Sequence, residues 1–390
     1  MKVRVPHYFD QFSCTGSRCP DTCCVGWMIE IDEASYQRFM SMEGEFGERI
    51  RKNILEREDG HFFALNENGR CAFLNEKNLC EMVIKMGDAG LCSLCDNYPR
   101  VGVEFGGLRE MGLSLSCPEV SRLVFSSSKP ICFGEWFKEE EIQGTDYTKD
   151  VLFTSLMDLR DVLFGILQNR ELSIGGRASL YIMMASRLQN ILDEDSDEMK
   201  MSEKVRKLSE KFSDGGYLKK SLDAIKGCRM ELSREFINGV MKFLDGLEIV
   251  NQKWLDLFHE TMEWLERNQT DVYREKHEKF REFYGEKEYV YEHLMVYYVY
   301  RYFMKMIFDG DIYSKAVLCV MALVVIHEMN VAVWDGQKGS FGLEEQIQVM
   351  YLFSKEIEHC EENMERLSEE IWENVMYQPQ SLIDNLTNIL

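Results

Sequence analysis

Cys14-Thr-Gly-Ser-Arg-Cys19-Pro-Asp-Thr-Cys23-Cys24 opens a segment crowded with thiols in polar, turn-rich surroundings. Core cysteines usually sit among apolar neighbours, so this is the wrong setting for them. Working outward, Cys71, Cys80, the pair Cys92-Ser-Leu-Cys95 and Cys117-Pro118 follow. With Cys132 they place ten of the thirteen cysteines in the first 132 residues. From about Asp146 the texture changes to long amphipathic stretches of helical period. The pattern predicts a mainly α fold: a cysteine-rich α+β domain over residues 1–135, followed by a helical bundle domain over residues 146–390.

Composition supports that division. A chain of 390 residues can bury a sizeable core. Only six prolines, against 23 methionines and abundant Leu, Glu and Lys, favour helix over sheet. The N-terminus carries charge but lacks the apolar centre of a signal peptide. The longest apolar run, Ala316 to Ile326, is too short to span a bilayer comfortably. The expectation is a cytoplasmic, soluble protein. In a reducing compartment a cysteine cluster points to metal or catalytic thiols rather than disulfides. The odd cysteine count and the adjacent Cys23-Cys24 agree. A formal charge of -22 opposes binding to nucleic acid, whose phosphates demand Lys and Arg. It permits attraction of a basic protein surface, or simply serves solubility. Oligomeric state is not legible.

Locally, Met28 to Ile31 reads as a short strand, and Asp32 as the N-cap of a helix from Glu33 to Met42. Phe46 to Arg57 reads as helix. His61 to Leu65 and Gly69 to Leu74 read as strands around a turn at 66–69, and Val101 to Leu115 as a hairpin delivering Cys117. Cys92 to Pro99 forms a knuckle-like turn, because Pro99 holds Tyr98 out of the helical region. Among the later helices, 271–284 is so charged that it should be exposed. Ile312 to Trp334 is the most apolar and should lie at the centre, and 343–367 reads as one long helix.

Thiolates are soft ligands that suit zinc and iron–sulfur clusters. Structural zinc takes four Cys or His, commonly as two close pairs. Cys92-x2-Cys95 supplies one pair; Cys19-x3-Cys23 or Cys24 would supply the other. One ferredoxin-type run ends in Cys-Pro, as Cys117-Pro118 does. Nine cysteines between 14 and 117 exceed the need of a four-ligand site. Cys132, Cys228, Cys319 and Cys360 read as small buried core residues.

The stretch Phe12-Ser-Cys-x4-Cys-x3-Cys-Cys-Val-Gly-Trp-x-Ile-x-Ile-Asp resembles the opening of the flagellin lysine N-methylase family. So do Gly69-Arg-Cys-Ala-Phe-Leu, Leu79-Cys, Leu91-Cys-x2-Cys-x2-Tyr-Pro-Arg and Leu115-Ser-Cys-Pro-Glu. The resemblance is close over residues 6–125 and returns at Phe353-Ser-Lys-Glu-Ile-Glu-His359. It implies a zinc- or iron-chelating domain and methyl transfer from S-adenosylmethionine to surface lysines of flagellin, in a protein carrying a [4Fe–4S] cluster. The implied ligand pool is Cys14, Cys19, Cys23, Cys24, Cys71, Cys80, Cys92, Cys95 and Cys117, four being expected per cluster. Cys-x3-Cys-x2-Cys, the spacing of radical S-adenosylmethionine enzymes, does not occur.

A lysine nucleophile must be neutral to attack a methyl sulfonium, so a base or a desolvating pocket is expected. Tyr98, Glu358 and His359 are the candidates, although Glu358 and His359 sit on what reads as an exposed helix face. Arg100 is a candidate for the donor carboxylate, with a structural ion pair as its alternative role. No Gly-rich strand–turn–helix of Rossmann type, Walker loop or Gly-x-Ser-x-Gly occurs, and His327-Glu328 is followed by Val331 rather than a second zinc-binding histidine. A second class of function is a non-catalytic metal-binding protein, with zinc or a cluster as a structural centre and the helical face recruiting a partner. A pocket beside the cysteines would favour the enzyme.

Overall fold

The computed structural model describes residues 1–25, 28–57, 59–66, 69–142, 144–225 and 230–390. Trp27 and Gly26 of the opening motif, the middle of the 66–69 turn, and Cys228 lie outside the described residues. The chain is mainly helical, with an α+β N-terminal region and a C-terminal helical bundle.

Among the described residues, seven strands form two small sheets. Four of them, β1 (Lys2–Pro6), β5 (Arg100–Glu104), β6 (Leu108–Leu113) and β7 (Phe133–Phe137), lie in the order β5-β6-β1-β7. The hairpin β5–β6 pairs Arg100 with Leu113, as its sequence implied. The two other strands escaped sequence reading. Strand β1 runs parallel to β6, Lys2 beside Leu108, and antiparallel to β7, Lys2 beside Phe137. Both are five residues long and pair across more than a hundred residues, which local pattern does not reveal.

The other sheet has the order β2-β4-β3: β2 (Glu30–Ile31), β3 (Ile54–Arg57) and β4 (Gly60–Phe63). Here the helix read over 46–57 is corrected. A helix spans Gly44–Lys52, and Ile54–Arg57 turns back to pair with Gly60–Phe63. Residues 69–74 form no extended strand; Arg70, Cys71 and Leu74 make isolated bridges to Val25, Leu65 and Cys80. Asp32 caps the helix Glu33–Met40, its carboxylate accepting from the Ser35 amide at 3.0 Å and from Ser93 at 2.8 Å. One side chain thus ties this helix to the Cys92–Cys95 turn.

Two hydrophobic cores result. Ile29, Ile31, Phe39, Ile50, Phe63 and Phe73 bury themselves with Cys71 and Cys92 in a small lobe. The four-stranded sheet packs instead on the large core of the helical body, through Tyr8, Phe105, Leu108 and Leu113.

At the centre of that body lies the helix Tyr313–Gly336, buried nearly all round from Tyr313 to Ala332. By length and composition it could cross a membrane, but 89% of its apolar window is covered by protein. A helix apolar on every face belongs inside something; here that is the helices Ile174–Glu194, Gln252–Arg267, Tyr289–Tyr302 and Leu343–Glu358. The charged helix Thr270–Tyr284 is not free in solvent: Tyr273, His277, Phe280 and Tyr284, at spacings of four and three, bury one face. The long helix expected over 343–367 is broken. It stops at Glu358, His359 and Cys360 leave helical geometry, and a new helix spans Glu361–Glu373. Asn363 bonds the Glu356 carbonyl at 3.1 Å, satisfying an orphan acceptor at the break.

Candidate functional site

The break at Glu358 and His359 is where the sequence candidates meet. Helix Tyr289–Tyr302 presents Tyr297, Tyr298, Arg301 and Tyr302 on the face turned toward it. The Glu358 carboxylate, with no exposed surface, accepts from Tyr302 at 2.7 Å, Tyr297 at 2.9 Å, Tyr298 at 3.3 Å and Ser354 at 2.6 Å. The Arg301 guanidinium completes the cage at 3.1 Å. Glu358 and His359 are therefore inward groups rather than the exposed helix face expected. A carboxylate so surrounded is a fixed anchor, and its lone pairs are spoken for.

His359 faces the strand end beyond β6. Its Nε2 lies 2.6 Å from Ser116 Oγ and 3.1 Å from Ser114 Oγ, and Ser116 Oγ lies 3.0 Å from the Tyr98 hydroxyl. A continuous polar chain thus runs Tyr98–Ser116–His359, with Cys117 next in sequence. Burial, helped by Arg301, pulls the His359 imidazole down to about 4, so it is neutral at physiological pH. Burial pushes the Tyr98 phenol well above its usual range. Tyr98 thus acts here as a hydrogen-bonding hydroxyl rather than a base. Arg100 stands apart: its guanidinium lies over the Phe12 ring at 5.4 Å, and no carboxylate among the described residues is within ion-pair distance.

Beside this network lies a cavity of about 270 Å³ between the hairpin β5–β6 and the helix Tyr289–Tyr302. Tyr8, Phe105, Leu113 and Tyr300 line it, with Glu110, Arg301 and Lys305 as its charged groups. Glu110 is fully engaged by buried Arg160, Nη1 to Oε2 at 2.7 Å, with Arg4 at 3.9 Å. Tyr300 pins the helix to the sheet by donating to the Arg4 carbonyl at 2.7 Å. Tyr297 and Arg301 belong both to the cavity wall and to the Glu358 cage, so cavity and polar chain form one connected region.

The cysteines gather as the sequence suggested, with differences. The segment Cys14–Cys24 is held on the helical body by buried Lys355, whose ammonium bonds Asp21 at 3.0 Å and the Thr22 carbonyl at 2.7 Å. Cys23 and Cys24 Sγ atoms are 3.9 Å apart. Two thiolates on one tetrahedral metal would stand about 3.8 Å apart, from a metal–sulfur bond of ~2.3 Å. The Cys71 amide bonds the Cys24 carbonyl at 2.9 Å, and Cys71 lies within electrostatic range of Cys80, Cys92 and Cys23. Cys95 lies within the same range of Cys92, Cys24 and Cys23. The Cys95 thiol donates to Cys92 and pulls it down to about 7, while the same bond and burial push Cys95 up. Five thiols from four segments, Cys24, Cys71, Cys80, Cys92 and Cys95, thus share the small lobe, with exposed Cys23 beside Cys24 at its edge.

Cys117, pushed up to about 12 by burial, faces Cys19 and Cys23 from the side of the larger core. Cys14 is exposed. Among the described residues no three Cys, His, Asp or Glu side chains converge tightly enough for a single ion. The donor set is nonetheless all sulfur and half-buried, which fits a cluster or zinc in chemistry. Of the cysteines expected in the core, Cys319 is fully buried, Cys360 is half-buried, and Cys132 is exposed. Cys132 belongs to the strand edge, where its amide bonds the His7 ring at 3.3 Å.

Sequence reading passed over Ser114, Ser116, Tyr297, Tyr298, Arg301, Tyr302 and Lys305. One signal was present: positions 297, 298, 301, 302 and 305 fall on one stripe of a 3.6-residue helix. An aromatic stripe alone reads as core.

Residues 160–383, more than half of the chain, match the family described as FliB lysine N-methylase C-terminal domain. That match lies on the helical body and includes the Glu358–His359 break. The flagellar biosynthetic protein FliU of Salmonella muenchen is 27% identical over 139 residues, 34% of this chain and 82% of that protein. Lysine-N-methylases of Salmonella typhimurium (strain LT2) and Salmonella choleraesuis (strain SC-B67) show the same identity over the same share of this chain. In those two the aligned stretch spans only 35% of their length. No solved structure matches the fold significantly. With more than half its residues inside the matched domain, the chain belongs to the FliB lysine N-methylase family.

Proposed function

We propose that the protein is a protein-lysine N-methyltransferase that takes its methyl group from S-adenosylmethionine and places it on surface lysines of flagellin. The observation that carries this reading is the matched family domain, whose Glu358–His359 break borders a tyrosine-walled cavity and, through Ser116, the segment that carries Cys117. No described cysteine lines that cavity, and its link to the thiols runs only through Ser116, next to Cys117 in sequence. The net charge of -22 suits a lysine-bearing partner surface. A cytoplasmic location accords with cysteines that form no disulfide among the described residues.

In the reaction the neutral ε-amine of the acceptor attacks the methyl carbon. The carbon–sulfur bond breaks, its electron pair returns to sulfur to leave S-adenosylhomocysteine, and the amine sheds a proton. Tyrosine faces suit a sulfonium through cation–π attraction. The neutral His359 ring, reached through Ser116, accepts a hydrogen bond without adding positive charge. Cys23, Cys24, Cys71, Cys80, Cys92 and Cys95 are the residues that would hold a [4Fe–4S] cluster, or zinc in its place. Holding such a centre, these residues would tie together the four segments they come from.

The test is incubation of anaerobically purified protein with flagellin and methyl-labelled S-adenosylmethionine, read by mass spectrometry of flagellin peptides. Label on lysine that depends on the protein is the expected result. Absence of transfer with metal-loaded protein would return the chain to the class of metal-binding interaction proteins.

A further inference from the structure

Lys305 makes no ion pair among the described residues, Glu358 and Asp309 acting on it only at longer range. Its side chain is half-buried in the wall of the 270 Å³ cavity, and among the described residues no carboxylate lies within ion-pair distance of Nζ. Its nearest aromatic support is the face of Tyr302, 4.9 Å from the ring centre. One turn earlier, Arg301 spends one edge on Glu358, and its Nη1 is buried with no hydrogen-bond partner. The cavity's one carboxylate, Glu110, is already consumed by Arg160 and Arg4. The cavity therefore has an apolar and aromatic body, from Tyr8, Phe105, Leu113 and Tyr300, and an uncompensated positive end. Leaving a cation unpaired in a desolvated wall costs free energy that an incoming anion would recover. Burial and the neighbouring Arg301 pull Lys305 down to about 8, which still leaves it mostly charged at neutral pH.

We infer that this cavity binds a small carboxylate-bearing molecule, the carboxylate seated on Lys305 beside Arg301 and the body lying against the tyrosine and phenylalanine rings. At 270 Å³ the cavity is at the small end of ligand sites, the size of one arm of a nucleoside-sized molecule. On the methyl-transfer reading, on which this assignment of ligand rests, that arm is the amino-acid end of the donor. Its sulfonium would then lie toward Tyr297 and Tyr300. Lys305 and Arg301 are binding residues in this scheme, and the methyl transfer itself needs no proton from either.

Two carboxylates separate the inference from the reading beneath it: S-adenosylhomocysteine, and 3-phenylpropanoate with its amide as the uncharged control. Binding to wild type, Lys305→Met and Lys305→Arg is measured by calorimetry on the full chain. Both carboxylates should bind wild type and weaken by about tenfold or more with Lys305→Met, while Lys305→Arg keeps most of the affinity. The amide should not distinguish the variants. In wild type alone, either carboxylate should slow modification of Lys305 by an amine-directed reagent, a readout that does not depend on any variant folding. Binding of S-adenosylhomocysteine untouched by Lys305→Met, without protection of Lys305, overturns the inference and leaves the methyl-donor reading standing. Lys305-dependent binding of 3-phenylpropanoate without any of S-adenosylhomocysteine upholds the carboxylate site and removes the donor from it. Binding of neither carboxylate overturns the inference.

Discussion

Replacing Glu358 by Gln should be among the most damaging single-atom changes in this protein. The carboxylate holds Tyr297, Tyr298, Tyr302, Ser354 and Arg301 at 2.6–3.3 Å with none of its surface exposed. Glutamine keeps the shape but offers one acceptor oxygen, and turns an NH2 group toward hydroxyls that were donating. Arg301, one of whose nitrogens already lacks a partner, then loses the one carboxylate it pairs with among the described residues. Removing one member of a buried ion pair typically costs about 3–5 kcal/mol. Urea unfolding followed by tryptophan fluorescence should show a loss of that order. The double variant Glu358→Gln/Arg301→Met should regain at least about 1 kcal/mol relative to additivity, because the stranded cation is gone. A loss under about 1 kcal/mol, or strict additivity, would mean that the cage is hydrated, and the reasoning about the helix break would fail.

Three further outcomes follow from the packing. His359 is held neutral, pulled down to about 4 against 6.5 for the free side chain. The folded state therefore gains relative stability above pH 6.5 and loses it as pH falls from 6.5 toward 4, by about 3 kcal/mol in all. His359→Gln should remove that part of the slope in a pH series of unfolding midpoints, and an unchanged slope would place the imidazole in solvent. Lys355→Met should free the Cys14–Cys24 segment, since it deletes the bonds to Asp21 and Thr22. Amide exchange there should speed up by at least tenfold, whereas equal protection in both proteins would assign the docking to other contacts. Gly175→Ala would place a Cβ 2.6 Å from the Leu386 carbonyl oxygen, between two packed helices whose backbone cannot yield cheaply. It should cost about 1–3 kcal/mol by thermal or urea unfolding, and a neutral result would show that the contact is looser.

Much of the fold could be read in advance because period carries it. Tyr313–Gly336 is apolar on every face, and Ser173 and Asp32 announce the helices they cap. The misreadings share one cause, in that tertiary partners overrode local pattern. Ile54–Arg57 became a strand because Gly60–Phe63 lies beside it, and β1 and β7 exist only through each other and β6. The apolar period runs unbroken through 343–367, so the interruption at His359 has no sequence mark. It comes from tyrosines sixty residues upstream gripping Glu358 and serines far away gripping His359. Tyr98, Glu358 and His359 were nominated by residue type, and the fold brings them into one network. Arg100, nominated on the same ground, sits on Phe12 instead. Lys305 went unnoticed because an unpaired lysine differs from a paired one only in three dimensions.

On the proposed reading, the cysteine lobe holds a metal centre against the helical body of the lysine N-methylase family domain. The most direct measurement is iron, sulfide and zinc content of anaerobically purified protein, with absorbance spectra of wild type, Cys92→Ser, Cys95→Ser and Cys319→Ser. Iron and sulfide in equal amounts and a broad visible absorbance are expected, lost in the Cys92 and Cys95 variants and kept in the Cys319 variant, whose thiol is buried in the helical core. Stoichiometric zinc without colour would replace the cluster by a zinc centre in the same lobe. Metal-free protein that folds and stays folded with all its thiols free would contradict the claim.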